Sequence, residues 1–361
     1  MSFHDLGIPV SDCTVSVKVY NVLQDVRAVS VPAAMFFREV IPGNETLRCP
    51  AFAFLVEHVT TDQRLLFDLG PRKDPLNAAP RMAEFVRSGL VYMPVSQDIT
   101  EQLEEDAVNL SSINAAIWSH AHYDHIGDMS KFPATTKLVF GGQMDMATDE
   151  QNPKTSLLKS DLAGRELLPL HFNEANLEIG GFKALDYFGD GSFYVLDVPG
   201  HLAGHVCGLA RVTPTTFVYL GGDVVHHAGM FRPTAKLHHQ FPCPDELVAA
   251  TRTSVATVHF PPADSAGQFN LAARMTPMLD VAEDGAYEDP STARKSIARL
   301  ADFDANPDVF ILFAHDTSLL DALGPLPMYL NDWKAKGLKE RVIWSFLDEG
   351  NLSFRFNEKT A

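Results

Sequence analysis

Cysteine is scarce in this chain. There are four in 361 residues, Cys13, Cys49, Cys207 and Cys243, far apart and with no Cys-x-x-Cys pair. That argues against a disulfide framework and for reduced thiols in a cytoplasmic protein. Positive charge is also short: 29 Lys and Arg stand against 46 Asp and Glu, a formal net charge of −17. Nucleic-acid affinity rests largely on Lys and Arg, so a nucleic-acid partner is not expected. The same balance opposes docking on an anionic membrane. No stretch approaches the ~20 consecutive apolar residues of a membrane span. The opening "MSFHDLGIPVSDCTV" has no basic segment followed by an apolar one, so no secretory leader is read there. Glycine- or serine-rich linkers are missing too, which favours one domain over residues 1–361.

What is present reads as globular. The composition, 46% hydrophobic and 21% charged, is ordinary for a folded protein able to bury a large core. "CTVSVKVYNVL" (13–23) alternates and is β-branched, hence a strand. "CPAFAFLVEHV" (49–59) and "QRLLFDLG" (63–70) flank the polar turn "TTD", a hairpin pattern. "PRMAEFVRSGL" and "DITEQLEEDAV" suggest short helices, "INAAIWSH" a buried strand, and "KLVF" another. "SFYVLDVPGH", "VCGLARV" and "TFVYLGGD" are three strands in quick succession, and "STARKSIARLADF" is a helix. "DVFILFAHD" is a buried strand, with "ERVIWSF" (340–346) as a final one. Residues 228–290, rich in Pro and Phe, read as an insert covering the site. Strands with helices in both halves predict a layered α/β sandwich.

One segment demands a chemical explanation. "SHAHYDHIGD" (119–128) packs His120, His122, Asp124 and His125 directly behind the apolar run "INAAIW". Their spacings do not share one helical face. On leaving a strand, residues two apart point the same way, so His120 and His122 can aim at one ion while Asp124 and His125 turn to a second. Imidazole and carboxylate are ligands that borderline cations such as Zn²⁺ accept.

The pattern His-x-His-x-Asp-His resembles the signature of the metallo-β-lactamase superfamily, whose fold is a four-layered αββα sandwich. The later elements resemble it in order. In "PGHLAGH" the resemblance gives the ligand role to the second histidine, His205, and leaves His201 a supporting one. "YLGGD" gives Asp223 as a bridge between ions, and "LFAHD" gives His315. Asp68 in "FDLG" matches an early aspartate that supports the site without binding metal. His259 in "TVHFPP" is a rival for the last position, but "DVFILFAHD" is the better buried strand. The implied assignment is two zinc ions, one on His120, His122 and His205, the other on Asp124, His125 and His315, with Asp223 between. Iron or manganese also suits these ligands.

A hydroxide shared by two cations is nucleophilic near neutral pH and suits attack on an electrophilic carbonyl. The resemblance is strongest to the N-acyl homoserine lactonase-like branch. The tail "LNDWKAKGLKERVIWSFL" and the "HHAGMFRPT" stretch resemble fungal lactonase- and lactamase-like proteins. The expectation is therefore a dinuclear hydrolase opening a lactone or lactam ring, with Asp124 passing a proton to the leaving atom. In that branch a tyrosine often stands three residues past the bridging aspartate; here it is His226, expected at the substrate. His227 is read as structural. Phe36 and Phe231 are candidate contacts for an apolar or aromatic substrate, among Phe37, Phe241, Phe260 and Phe269. The alternatives are an acyl-thioester hydrolase, a metal-binding protein without catalysis, and an iron-dependent redox protein. The sequence is compatible with a homodimer.

Overall fold

The computed structural model describes residues 1–38, 40, 44–253, 275–348 and 350–354. His259, Phe260 and Phe269 lie outside these residues. Two large sheets dominate. The first has seven strands in the order Met328–Tyr329, Val15–Asn21, Phe52–His58, Arg64–Phe67, Ile113–Trp118, Lys137–Gly141, Leu167–Leu170. The second has six: Leu177–Ile179, Phe182–Asp186, Phe193–Asp197, Val206–Thr213, Thr216–Leu220, Val309–Leu312.

Strand alternation builds the layers, because successive side chains point to opposite faces. Val15, Val17, Val19, Phe52, Phe54 and Val56 face Phe193, Val195, Val218, Leu220, Phe310 and Leu312 in a core between the sheets. The intervening residues Tyr20, Ala53 and Leu55 face outward, onto Ile99 and Leu103 of the helix Ile99–Glu105. On the far side, Tyr194, Leu196, Tyr219 and Ile311 pack on Ile297, Leu300 and Phe303 of the helix Pro290–Ala305. The result is helix, sheet, sheet, helix: the expected αββα order. Among the described residues, no helix is long and apolar enough to cross a membrane. The four cysteines are free thiols.

Each sheet contains parallel strands whose C-terminal ends meet at one rim. Arg64–Phe67, Ile113–Trp118 and Lys137–Gly141 run parallel in the first sheet, and Thr216–Leu220 with Val309–Leu312 in the second. At that rim the Val206 amide donates to Ser119 O and the Phe52 amide to Ala314 O, both at 2.9 Å, tying the sheets together. Such strand ends are where α/β sheets place their sites.

One expected element is corrected. Residues 340–346 are not a strand; a helix spans Leu338–Val342 and a 3-10 turn Ser345–Leu347. Leu338 and Val342, four apart, both enter the inter-sheet core, which is the helical and not the strand period.

Candidate metal centre

The fully buried ends of Ile113–Trp118 carry the chain to His120, and His122 sits just before the short helix Tyr123–Ile126, which presents Asp124 and His125. Asp68 ends the neighbouring strand with φ 58°, a left-handed conformation that an aspartate adopts more readily than most residues. Its carboxylate accepts from the Ser119 amide at 2.7 Å, from Ser119 Oγ at 2.8 Å and from His125 Nδ1 at 2.8 Å. That last bond fixes the His125 tautomer and turns Nε2 inward, the usual support for a metal-binding imidazole. His315 Nδ1 donates likewise to Pro50 O at 2.8 Å.

Asp223 is the centre of the arrangement. Gly222 precedes it at φ 49°, and a Cβ there would lie 2.8 Å from Ser119 Cβ and 2.9 Å from His205 Nε2. Only glycine makes that turn without strain. The two carboxylate oxygens of Asp223 face different neighbours. Oδ1 is 3.1 Å from His125 Nε2 and 3.1 Å from His315 Nε2. Oδ2 is 3.0 Å from His226 Nε2, 3.3 Å from His201 Nε2 and 3.5 Å from His120 Nε2. Asp124 Oδ2 reaches His315 Nε2 at 3.4 Å.

Two compact donor groups result. His120, His122, His201 and Asp223 form one, and Asp124, His125 and His315 the other; within each group the ligand atoms lie within 4.8 Å of one another. Asp223, His226 and His315 meet the same spacing.

The roles expected for His201 and His205 are exchanged, and this is a correction. His201 Nε2 stands 3.1 Å from His120 Nε2 and 2.9 Å from His122 Nδ1, inside the first group. Both nitrogens of His205 are taken by backbone: Nδ1 donates to Val198 O at 3.0 Å, and Nε2 accepts from the Asp223 amide at 3.0 Å. A lone pair already accepting an N–H is not offered to a cation. His205 therefore holds the Asp223 backbone in place.

The donor set fits divalent cations. His125 Nε2 and Asp223 Oδ1 are buried without any hydrogen-bond partner, although they face each other. Burial, reinforced by neighbouring imidazoles, pushes His122 down to about 3 and His201 down to about 4, leaving bare nitrogen lone pairs. Burial opposes charge on His125 as well, yet Asp223 and Asp68 outweigh it and raise this imidazole to about 10. His315 is raised for a similar reason, with Asp223 foremost against burial. Asp223 itself is held well below the usual carboxylate range: burial works against its charge, and His125 and His315 overcome that. The second group thus draws in positive charge, and a cation would supply it without protons.

The remaining candidates divide. His226 is buried at the cluster, and Phe36 stacks on its ring at 4.0 Å and 22°. Phe231 is not at the cluster: it is buried, edge-on to Phe313 at 6.2 Å. It lines a separate cavity of about 420 Å³ with Met230, Leu279 and Ile297, none of which belongs to the metal-type cluster. A long apolar side chain at 1% exposure there is core, which corrects the expected substrate contact. His227 is structural, with Nε2 donating to Ser353 O at 2.9 Å and Nδ1 accepting from the Gly229 amide at 2.9 Å. Tyr287, which carries no sequence motif, packs edge-on against His201 at 5.0 Å.

Sheets that cover one another, helices outside them and a His/Asp cluster at the shared strand ends define a metallo-hydrolase architecture. The profile of the Metallo-beta-lactamase superfamily matches residues 46–221. The chain is 37% identical over 355 residues to the metallo-hydrolase mfmC of Annulohypoxylon moriforme, covering 95% of this chain and 89% of that one. It is 33% identical over 354 residues to the gamma-lactamase FDB1 of Fusarium pseudograminearum, covering 94% and 83%. It spans 38% of the length of the cytochrome P450 monooxygenase mpaDE of Penicillium roqueforti, at 37% identity. A solved N-acyl homoserine lactone hydrolase, with N-hexanoyl-L-homoserine at its catalytic metal centre, shares the fold at TM-score 0.57 and 17% identity, covering 88% of this chain and 99% of that one. The chain belongs to the metallo-beta-lactamase superfamily. It is a metal-dependent hydrolase.

Proposed function

We propose that this protein opens the ring of a small lactone or γ-lactam at a pair of zinc ions. His120, His122 and His201 would hold one ion and Asp124, His125 and His315 the other, with the Asp223 carboxylate standing between the two groups. The observation that carries this reading is the division of the Asp223 carboxylate between the two groups, Oδ1 facing His125 and His315 and Oδ2 facing His201 and His120. The likeness to a gamma-lactamase supports the ring-opening chemistry. The fold shared with lactone hydrolases supports the ester alternative within it.

When bound, the ions would lower the pKa of a coordinated water and polarise the scissile carbonyl. The chain's own groups do the rest. Asp124 is the most exposed carboxylate of the cluster, at 15% against 3% for Asp223. It takes the proton from the attacking water and delivers it to the ring oxygen or nitrogen as the acyl bond breaks. Asp68 and Pro50 O hold His125 and His315 in the orientation this requires. Phe36 offers a half-buried aromatic face beside His226, suited to an apolar or aromatic ring.

We read the chain as one domain in which part of residues 228–290 covers the site. In support, the Ala282 and Ala286 amides donate to Phe36 O and Met35 O, and the Glu288 amide donates to His201 O at 2.8 Å.

A panel of lactones, γ-lactams and acyl-thioesters, run beside metal analysis of the same sample, tests the reading. Two zinc equivalents and ring opening are expected. Thiol release from thioesters with no ring opening would replace it with a thioesterase.

A further inference from the structure

The helix that presents Asp124 and His125 is only Tyr123–Ile126, a single turn. One turn fixes more backbone than its hydrogen bonds repay, so it does not hold itself. The segment from Asp68 to Arg72 runs beside it and supplies the ties. The Leu69 amide donates to His125 O at 2.8 Å, and the Gly127 amide to Gly70 O at 2.9 Å. The approach is close: a Cβ on Gly127 would lie 2.6 Å from Leu69 Cβ. Arg72 then reaches both ends of the turn. Its carbonyl accepts from the Tyr123 hydroxyl at 3.2 Å, and its Nη2 donates to Asp128 Oδ2 at 3.3 Å.

Neither Arg72 nor Asp128 has a role above. The guanidinium is oriented by Asp74, whose oxygens accept from Nε at 2.6 Å and from Nη2 at 3.3 Å. A planar fork can be fixed by one carboxylate and still offer an N–H to another, which an ammonium cannot do in a set direction. The Arg72 and Asp128 side chains are 9% and 10% exposed, so their attraction is little screened. The oxygens of Asp128 divide the work: Oδ1 accepts from the Ser130 amide at 3.1 Å, starting the next turn, and Oδ2 faces Arg72.

We propose that Arg72 is a positioning residue that clamps the Tyr123–Ile126 turn from both ends and so aims Asp124 and His125 at the second metal position. This rests on the two-group reading of the site. The turn carries Asp124 and His125 of the group completed by His315, and none of the imidazoles His120, His122 and His201 of the other. Loosening it therefore weakens one ion and spares the other. Supports of this kind typically contribute about 10- to 100-fold in metal affinity or activity.

Two variants break the pair from opposite sides. Arg72→Met keeps the aliphatic stem and the carbonyl but removes the guanidinium. Asp128→Asn keeps the oxygen that caps Ser130 but removes the charge, and as the milder change it keeps the test open if Arg72→Met fails to fold. In each, chelator competition should show one zinc equivalent weakened about ten-fold or more and the other held, with turnover falling on the same scale. His315→Ala identifies the weakened equivalent as that of the second group. The double variant should lose no more than the worse single one, as two halves of one contact do. In the metal-free proteins, hydrogen exchange should quicken at the His125 and Gly127 amides and stay unchanged along Ile113–Trp118. Equal weakening of both equivalents, or faster exchange along the strand as well, makes the pair a general support of the fold and overturns the proposal. Unchanged zinc affinity and turnover in a folded variant overturn it too. Wild-type protein holding fewer than two zinc equivalents would defeat the two-group reading separately, since exchange in the metal-free protein still judges the clamp.

Discussion

Replacing His201 and His205 one at a time should separate coordination from scaffolding. His201→Ala removes an imidazole whose Nε2 lies among His120, His122 and Asp223. A four-ligand zinc site binds with about 10–16 kcal/mol, so one ligand carries about 2.5–4 kcal/mol. That is roughly two to three decades of affinity at about 1.4 kcal/mol each. His205→Ala removes two backbone hydrogen bonds and leaves the buried Asp223 amide unpaired. The orphaned N–H costs about 1–3 kcal/mol, and the cavity left by a fully buried ring adds to it. Chelator competition measures zinc affinity, and thermal unfolding of the metal-free protein measures stability. His201→Ala should lose affinity by about two decades or more and keep most of its unfolding temperature. His205→Ala should unfold several degrees lower and lose less than about ten-fold in affinity, the scale of a supporting group. The reverse pattern, with His205→Ala stripped of metal and His201→Ala fully loaded, refutes the geometric reasoning.

Three further outcomes are expected. Asp124→Asn, which keeps the shape but loses both the basicity and the charge of a ligand to the second ion, should lower turnover by about 10²- to 10⁴-fold and reduce zinc content, read from steady-state kinetics beside metal analysis of the same sample. Because His125 is raised to about 10 in the metal-free protein, it is protonated at pH 8 and must release that proton when zinc arrives; apparent zinc affinity should therefore rise with pH up to about 10, and titration calorimetry in buffers of different ionisation enthalpy should detect proton release. Lactone opening produces a carboxylic acid, so turnover should acidify a weakly buffered solution, and ring opening without proton release excludes the lactone reaction.

Much of the site is written in short-range pattern. His120, His122, Asp124 and His125 follow a buried strand at spacings that strand alternation and one helical turn convert directly into direction, and the structure gathers all four. Asp223 and His315 likewise follow apolar runs that become parallel neighbours. His201 and His205 could not be told apart in this way. Both stand in "PGHLAGH", and what separates them is the Asp223 amide, eighteen residues beyond His205, which captures the second ring. Tyr287 has no local signal at all; it reaches His226 from 61 residues away. The hairpin Leu177–Ile179 to Phe182–Asp186 did have one, the Gly180-Gly181 pair between Ile179 and Phe182, which is a two-residue turn signature. Residues 340–346 were misread because a buried apolar run has the same composition in a strand and in a helix that packs on two sides.

The most direct test is a crystal of the protein grown with zinc and measured at the zinc absorption edge. Two anomalous peaks are expected, one ringed by His120, His122 and His201, the other by Asp124, His125 and His315, with an oxygen of Asp223 towards each. A single peak, a peak on His205, or none at this cluster would contradict the dinuclear assignment.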